Sequence, residues 1–139
     1  MKKIFVTPSD NLTAILEEVP PYTTICLAAG VYYGKYEIAT RGVKLVGAGA
    51  RETIIRWGDY AKKEHSDGRE YNTFRTYTLC VTGDGVVLEN LTVENECTQP
   101  EINGQCVALS VNATRFRAKG CRFASTQDTV FWRPFRTTW

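Results

Sequence analysis

Between Gly104 and Phe131 the chain sets two carboxamides, Gln105 and Gln127, and one carboxylate, Asp128, among short β-prone runs. The runs read Gly104-Gln-Cys-Val-Ala-Leu-Ser-Val111 and Gly120-Cys-Arg-Phe-Ala-Ser-Thr-Gln-Asp-Thr-Val-Phe131. A carboxyl group can pass a proton to a leaving group, and a primary amide can donate hydrogen bonds to an oxyanion. Together they are the equipment of acyl-group hydrolysis that uses neither serine nor metal. The same side chains equally suit turn capping, and their chemistry alone leaves both readings open.

These residues must be positioned by whatever the surrounding chain folds into. Leu12, Ile15, Leu16 and Val19 recur on one helical face, with Asp10 or Asn11 as N-cap and Pro20-Pro21 as a stop. That predicts one short amphipathic helix. The remainder reads as short strands: Ile4 to Thr7, Thr24 to Leu27, Glu37-Ile38, Val43 to Val46 and Thr53 to Trp57. Gly30 to Gly34 reads as a turn, Gly47-Ala-Gly49 as another, and Gly58 to Asn72 as a polar surface loop.

An internal repeat organises the second half. Leu79-Cys80-Val81 is matched by Leu109-Ser110-Val111, an offset of 109 − 79 = 30. Leu88 to Val93 is matched by Ala118 to Phe123, again 118 − 88 = 30. Two separate strands repeating at one offset imply successive coils of a solenoid, each strand stacking on its counterpart. A sandwich would call for more hairpin turns than the single Asn103-Gly104. A parallel β-helix therefore fits better, with the helix laid over the apolar end of the first coil.

Composition bounds the function. The 139 residues are 43% apolar and 23% charged, as expected of one globular domain spanning 1–139. A net charge of +2, with no basic run interleaved with aromatics, gives no argument for nucleic acid as a partner. The five cysteines (Cys26, Cys80, Cys97, Cys106, Cys121) form no CxxC pair, and the lone His65 stands apart from them. No metal site or cofactor is expected. Most of these cysteines sit in apolar runs, where a thiol behaves as a small hydrophobe. The apolar run after Lys2-Lys3 is too short for a signal peptide and no stretch would span a membrane, so a cytoplasmic location is expected for the chain as given.

The order of the motifs resembles the pectinesterases (pectin methylesterases). Gly30-Val-Tyr-Tyr-Gly-Lys-Tyr-Glu-Ile38, Val43-Lys-Leu-Val-Gly-Ala-Gly49, Thr73-Phe-Arg-Thr-Tyr-Thr78 and Leu88-Glu-Asn-Leu-Thr-Val-Glu-Asn95 lead into Gly104-Gln-Cys-Val-Ala-Leu109 and Gln127-Asp-Thr-Val-Phe131. The resemblance implies a right-handed parallel β-helix, pectin as partner, and removal of methyl esters to give pectate and methanol. Members of this family are often secreted. The resemblance gives Asp128 the role of general acid/base and Gln127 and Gln105 that of oxyanion donors, with Thr73 and Phe74 contacting substrate. Of the aromatics, only Phe74 is singled out for the sugar; Tyr32, Tyr33, Tyr36 and Tyr77 are expected in the core.

The same resemblance implies a second aspartate, the nucleophile, one coil beyond the Gln-Asp pair. No Asp follows Asp128 in these 139 residues. The tail Trp132-Arg-Pro-Phe-Arg-Thr-Thr-Trp139 does not resemble the family, and the expectation is a frameshifted or prematurely stopped chain, inactive alone. A non-catalytic β-helix fragment that binds pectin weakly, or self-associates through its last coil, is the alternative. A pectate lyase is a poorer match, because its calcium site needs clustered carboxylates and those here are scattered.

Overall fold

The computed structural model describes residues 2–58, 77–96 and 107–125, together with the backbone of Val130–Trp132. The chain runs β1 (Lys3–Val6), α1 (Leu12–Glu18), β2 (Thr24–Leu27), β3 (Gly30–Tyr33), β4 (Tyr36–Ile38), β5 (Lys44–Val46) and β6 (Thr53–Trp57). It continues with β7 (Tyr77–Val81), β8 (Val87–Glu89), β9 (Thr92–Asn95), β10 (Val107–Val111), β11 (Arg117–Lys119), β12 (Arg122–Ala124) and β13 (Val130–Trp132).

These strands form three parallel sheets. The first has the order β1-β2-β5-β8-β11, the second β3-β6-β9-β12 and the third β4-β7-β10-β13. Following the chain from β2, each successive trio of strands visits the first, second and third sheet in turn and then starts again one level along. That is a parallel β-helix of four coils, and it rules out the sandwich. The 30-residue repeat is the pairing register itself: Leu79 stands beside Leu109, Val87 beside Arg117 and Thr92 beside Arg122.

The core is a set of columns running along the helix axis. Ile4, Ile25, Leu45 and Leu88 stack in the first sheet, with the exposed Ala118 ending the column. Tyr32, Ile55, Val93 and Phe123 stack in the second, and Ile38, Val81 and Val111 in the third. Most of these side chains are fully buried. Each buried aliphatic contributes roughly 1.5–3 kcal/mol of transfer free energy. No coil can do this alone, because the neighbour above or below supplies half of each contact.

Gly30 to Tyr33, expected as a turn, is strand β3. Gly30 takes a positive φ of 139° at the corner, and the following Val-Tyr-Tyr alternates outward, inward, outward. Tyr32 therefore enters the core, where its hydroxyl donates to the carbonyls of Ala28 (2.8 Å) and Val6 (3.1 Å). Burial pushes its phenol up to about 12.

The helix behaves as its residues predict. Asn11 caps it, accepting a hydrogen bond from the Ala14 N–H at 3.1 Å. Val19 leaves the helix with an extended ψ of 135°, as the residue before Pro20 must. Leu12 and Leu16 are buried, and α1 packs against β4, the first strand of the third sheet. With β1 edging the first sheet and Pro8 against Gly30 of β3, the N-terminal segment covers the starting edge of all three sheets.

A column of left-handed residues turns the chain into the first sheet. Tyr22, Gly42, Gly85 and Arg115 have φ of 62°, 69°, 69° and 55°. The first three each donate a backbone bond to the next coil: Tyr22 N–H to Arg41, Gly42 N–H to Asp84 and Gly85 N–H to Thr114.

Candidate active site

The five residues singled out by sequence, Thr73, Phe74, Gln105, Gln127 and Asp128, lie outside the described residues. The elements that follow them do not. Thr73 and Phe74 precede β7 by four and three residues, Gln105 precedes β10 by two, and Asp128 precedes β13 by two. These strands are consecutive hydrogen-bonded neighbours in the third sheet, β7-β10-β13, all pointing the same way. Tyr77 pairs with Val107, and Leu109 with Val130. Parallel neighbours stand roughly 4.8 Å apart. Segments spread over more than fifty residues of sequence thus feed three consecutive strands at the same end of one sheet.

Two buried side chains hold those strand starts against the second sheet. Asn95, at the end of β9, donates its amide to the Val107 carbonyl at 3.1 Å. The Thr78 hydroxyl donates to the Glu94 carbonyl at 2.9 Å. Both residues are buried, so each bond is shielded from water and the corner between sheets is rigid.

The outer face of the third sheet carries a ladder that sequence reading missed. Glu37, Cys80 and Ser110 stand side by side in register. Cys80 was read as a small hydrophobe in an apolar run, and it is indeed buried, but on this outer row beside a carboxylate. Burial, with the Glu37 charge adding to it, pushes its thiol up to about 11, against a smaller downward pull from the Ser110 hydrogen bond. It is a thiol at neutral pH and not a nucleophile. Glu37 is further fixed by the Thr82 hydroxyl at 3.0 Å. The spacings between Glu37, Cys80 and Ser110 (80 − 37 = 43 and 110 − 80 = 30) differ, which hid the row.

The aromatics divide by face. Tyr32 is core as expected, whereas Tyr33 is 57% exposed and meets Trp57 edge-to-face at 5.3 Å. The Tyr33 hydroxyl donates to Glu96, whose acceptance of that bond raises the phenol above its usual range. Arg56 pairs with Glu94 beside them. Tyr36 and Tyr77 are half-buried, and Lys35 Nζ lies 4.6 Å from the Tyr77 ring centroid. Among the described residues no group of three or more His, Cys, Asp or Glu stands close enough to hold a metal ion. No described helix is long and apolar enough to cross a membrane.

Comparison with known proteins agrees with the coil arrangement and with the residues that carry the resemblance. The pectinesterase family profile matches residues 3–139, a span that includes the 132–139 tail set apart by its residues. Pectinesterase 31 of Arabidopsis thaliana is 32% identical over 115 residues, covering 78% of this chain and 36% of the plant protein. A pectin methylesterase from Yersinia enterocolitica superposes with a TM-score of 0.81 at 25% identity, over 92% of this chain and 46% of that one. A pectin methylesterase solved in complex with a hexasaccharide gives a TM-score of 0.87 at 20% identity, over 95% of this chain and 46% of that one. The chain thus spans less than half the length of the relatives it matches, and by profile, sequence and fold it belongs to the pectinesterase family.

Proposed function

We propose that this chain supplies the proton-transfer and oxyanion half of a pectin methylesterase site, acting on methyl-esterified polygalacturonate. The observation that carries the reading is the adjacency of β7, β10 and β13, which follow Thr73-Phe74, Gln105 and Gln127-Asp128 and start at one end of one sheet. Family membership supplies the reaction class, and the hexasaccharide complex of a relative supports a saccharide as ligand.

In this reading a nucleophile adds to the ester carbonyl and the carbonyl oxygen takes up negative charge. The Gln105 and Gln127 amides donate hydrogen bonds to it, which stabilises the tetrahedral intermediate more than the ground state. Asp128 protonates the departing methoxide, and its carboxylate then takes a proton from the water that releases the free acid. Neutral amides suit this task because they do not hold the anionic product by charge. Thr73 and Phe74 contact the sugar.

The nucleophile is a second carboxylate, and acid and nucleophile cannot be one group in the same step. The 139 residues hold no Asp after Asp128. By themselves they are expected to release no methanol from esterified pectin, and at most to bind it weakly. Joined to the C-terminal half of the Yersinia relative, the chain should release methanol, and Asp128→Asn should cut that rate by roughly 10²–10⁴-fold. A folded but inactive chimera would overturn the esterase reading. Robust release by the 139 residues alone would instead show that the nucleophile comes from within them or from a partner chain.

A further inference from the structure

The outer face of the first sheet carries two rows of side chains along the helix axis. One row reads Lys3, Thr24, Lys44, Val87 and Arg117, each beside the next in register. The other, two residues further along every strand, reads Phe5, Cys26, Val46, Glu89 and Lys119. Cations thus recur at every second strand of the first row, about 10 Å apart. Glu89 is the one carboxylate in either row, and it pairs with Lys44 at 3.2 Å. Lys3, Arg117 and Lys119 have no carboxylate partner among the described residues. On the second sheet, by contrast, Arg56 and Arg122 both stand beside Glu94. The turns that enter and leave β2, β5, β8 and β11 all lie within the described residues. A groove of about 340 Å³ opens where the second row begins, walled by Phe5, Thr7, Cys26, Ala28, Val46 and Ala48. These side chains are mostly apolar, and Phe5 is 77% exposed.

A row of cations beside an apolar groove fits a polymer that is anionic along one edge and apolar on another face. We propose that this face holds a de-esterified stretch of uronan, the product of the proposed reaction, lying along the helix axis. A 1,4-linked uronan bears one carboxylate per sugar, and each pyranose is about as long as one strand spacing. Laid along the axis it sets a sugar over each strand from β1 to β11, so that every second carboxylate comes over Lys3, Lys44 or Arg117. The C–H faces of its rings rest on Phe5 and Val46, roughly 7 Å along the strands from the cations. Charge supplies the preference: the free acid is attracted to the row, and its methyl ester is not. The inference rests on the pectin reading above. It adds a second surface, on a different sheet from β7, β10 and β13, that keeps the protein on polymer already de-esterified.

The test is calorimetric titration of the 139-residue chain, at low ionic strength, with hexagalacturonate and with its fully methyl-esterified counterpart. The wild type should bind the free acid more tightly, and added salt should weaken the free acid alone. K3Q/K44Q/R117Q should weaken hexagalacturonate on the order of tenfold and abolish the preference. F5A, at an exposed position, should weaken both hexamers on the order of fivefold and keep the preference. R51Q/R122Q removes two exposed cations that lie outside both rows, and it should leave binding unchanged. With folding confirmed by circular dichroism, three results overturn the surface: a wild type that does not prefer the free acid, undiminished binding by K3Q/K44Q/R117Q, or an equal loss in R51Q/R122Q. The esterase reading is decided separately by methanol release from the chimera, because none of the substituted residues belongs to the candidate active site.

Discussion

Asp84 shows how a single side chain ties one coil to the next. It sits in the turn after β7, and its carboxylate accepts the Thr114 N–H at 2.9 Å from the equivalent turn 114 − 84 = 30 residues later. The backbone bond from Thr114, then the bond from its side chain, holds the Asp84 carboxyl below the usual carboxylate range. A depressed folded value means stability that is present above the unfolded value, about 3.9, and lost as pH falls through the folded one. Asp84→Asn should therefore lower Tm at pH 7, and the gap to wild type should close as pH drops below 4. Thermal melts at pH 7 and pH 3 check this; an equal gap at both would mean the carboxylate charge contributes nothing. The candidate acid Asp128 was legible only through the family resemblance. Nothing in its immediate neighbours separates a proton donor from an aspartate that merely precedes a strand; the role proposed for it depends on other segments that precede β7 and β10 in the same sheet.

The helix was readable from local chemistry alone: a cap, an apolar face and a proline stop need no tertiary information. Its placement follows from what the strands leave uncovered, since β4 is the first strand of its sheet and, among the described residues, has no strand on its near side. Leu12 and Leu16 are 2% and 4% exposed and join the same apolar core as Val6 and Ile38. Truncating one of them to Ala should cost about 2–4 kcal/mol. Replacing both with Asp should unfold the first coil or make the protein aggregate through its uncovered edge. Chemical denaturation and light scattering read the two outcomes, and unchanged unfolding would show that α1 is not the cap. β3 was missed for the opposite reason. Its Gly-Val-Tyr-Tyr-Gly composition signals a turn, and only stacking on Thr53 to Arg56 makes it a strand.

At the scale of the whole molecule, the repeat was visible only where coils have equal length. The last two full coils pair at an offset of 30, whereas β4 pairs with β7 at 79 − 36 = 43 and β10 with β13 at 130 − 109 = 21. Unequal connections hide the register from the sequence while the sheets keep it, and what preserves it physically is how closely the coils can approach. Gly47 is such a contact: a Cβ there would press on the Asn90 carbonyl oxygen of the next coil and lie 3.0 Å from Leu91 Cβ. Gly85 differs, with open space around it but a φ of 69°. Gly47→Ala should thus cost about 1–3 kcal/mol by forcing backbones apart. Gly85→Ala should cost about 1–2 kcal/mol through the left-handed conformation alone. Asparagine separates the two causes, because it tolerates the left-handed region but is larger than alanine. Gly85→Asn should recover most of the loss in urea denaturation and Gly47→Asn none of it. If asparagine rescued both sites or neither, close coil approach and backbone conformation would not be the separate constraints that keep the coils in register.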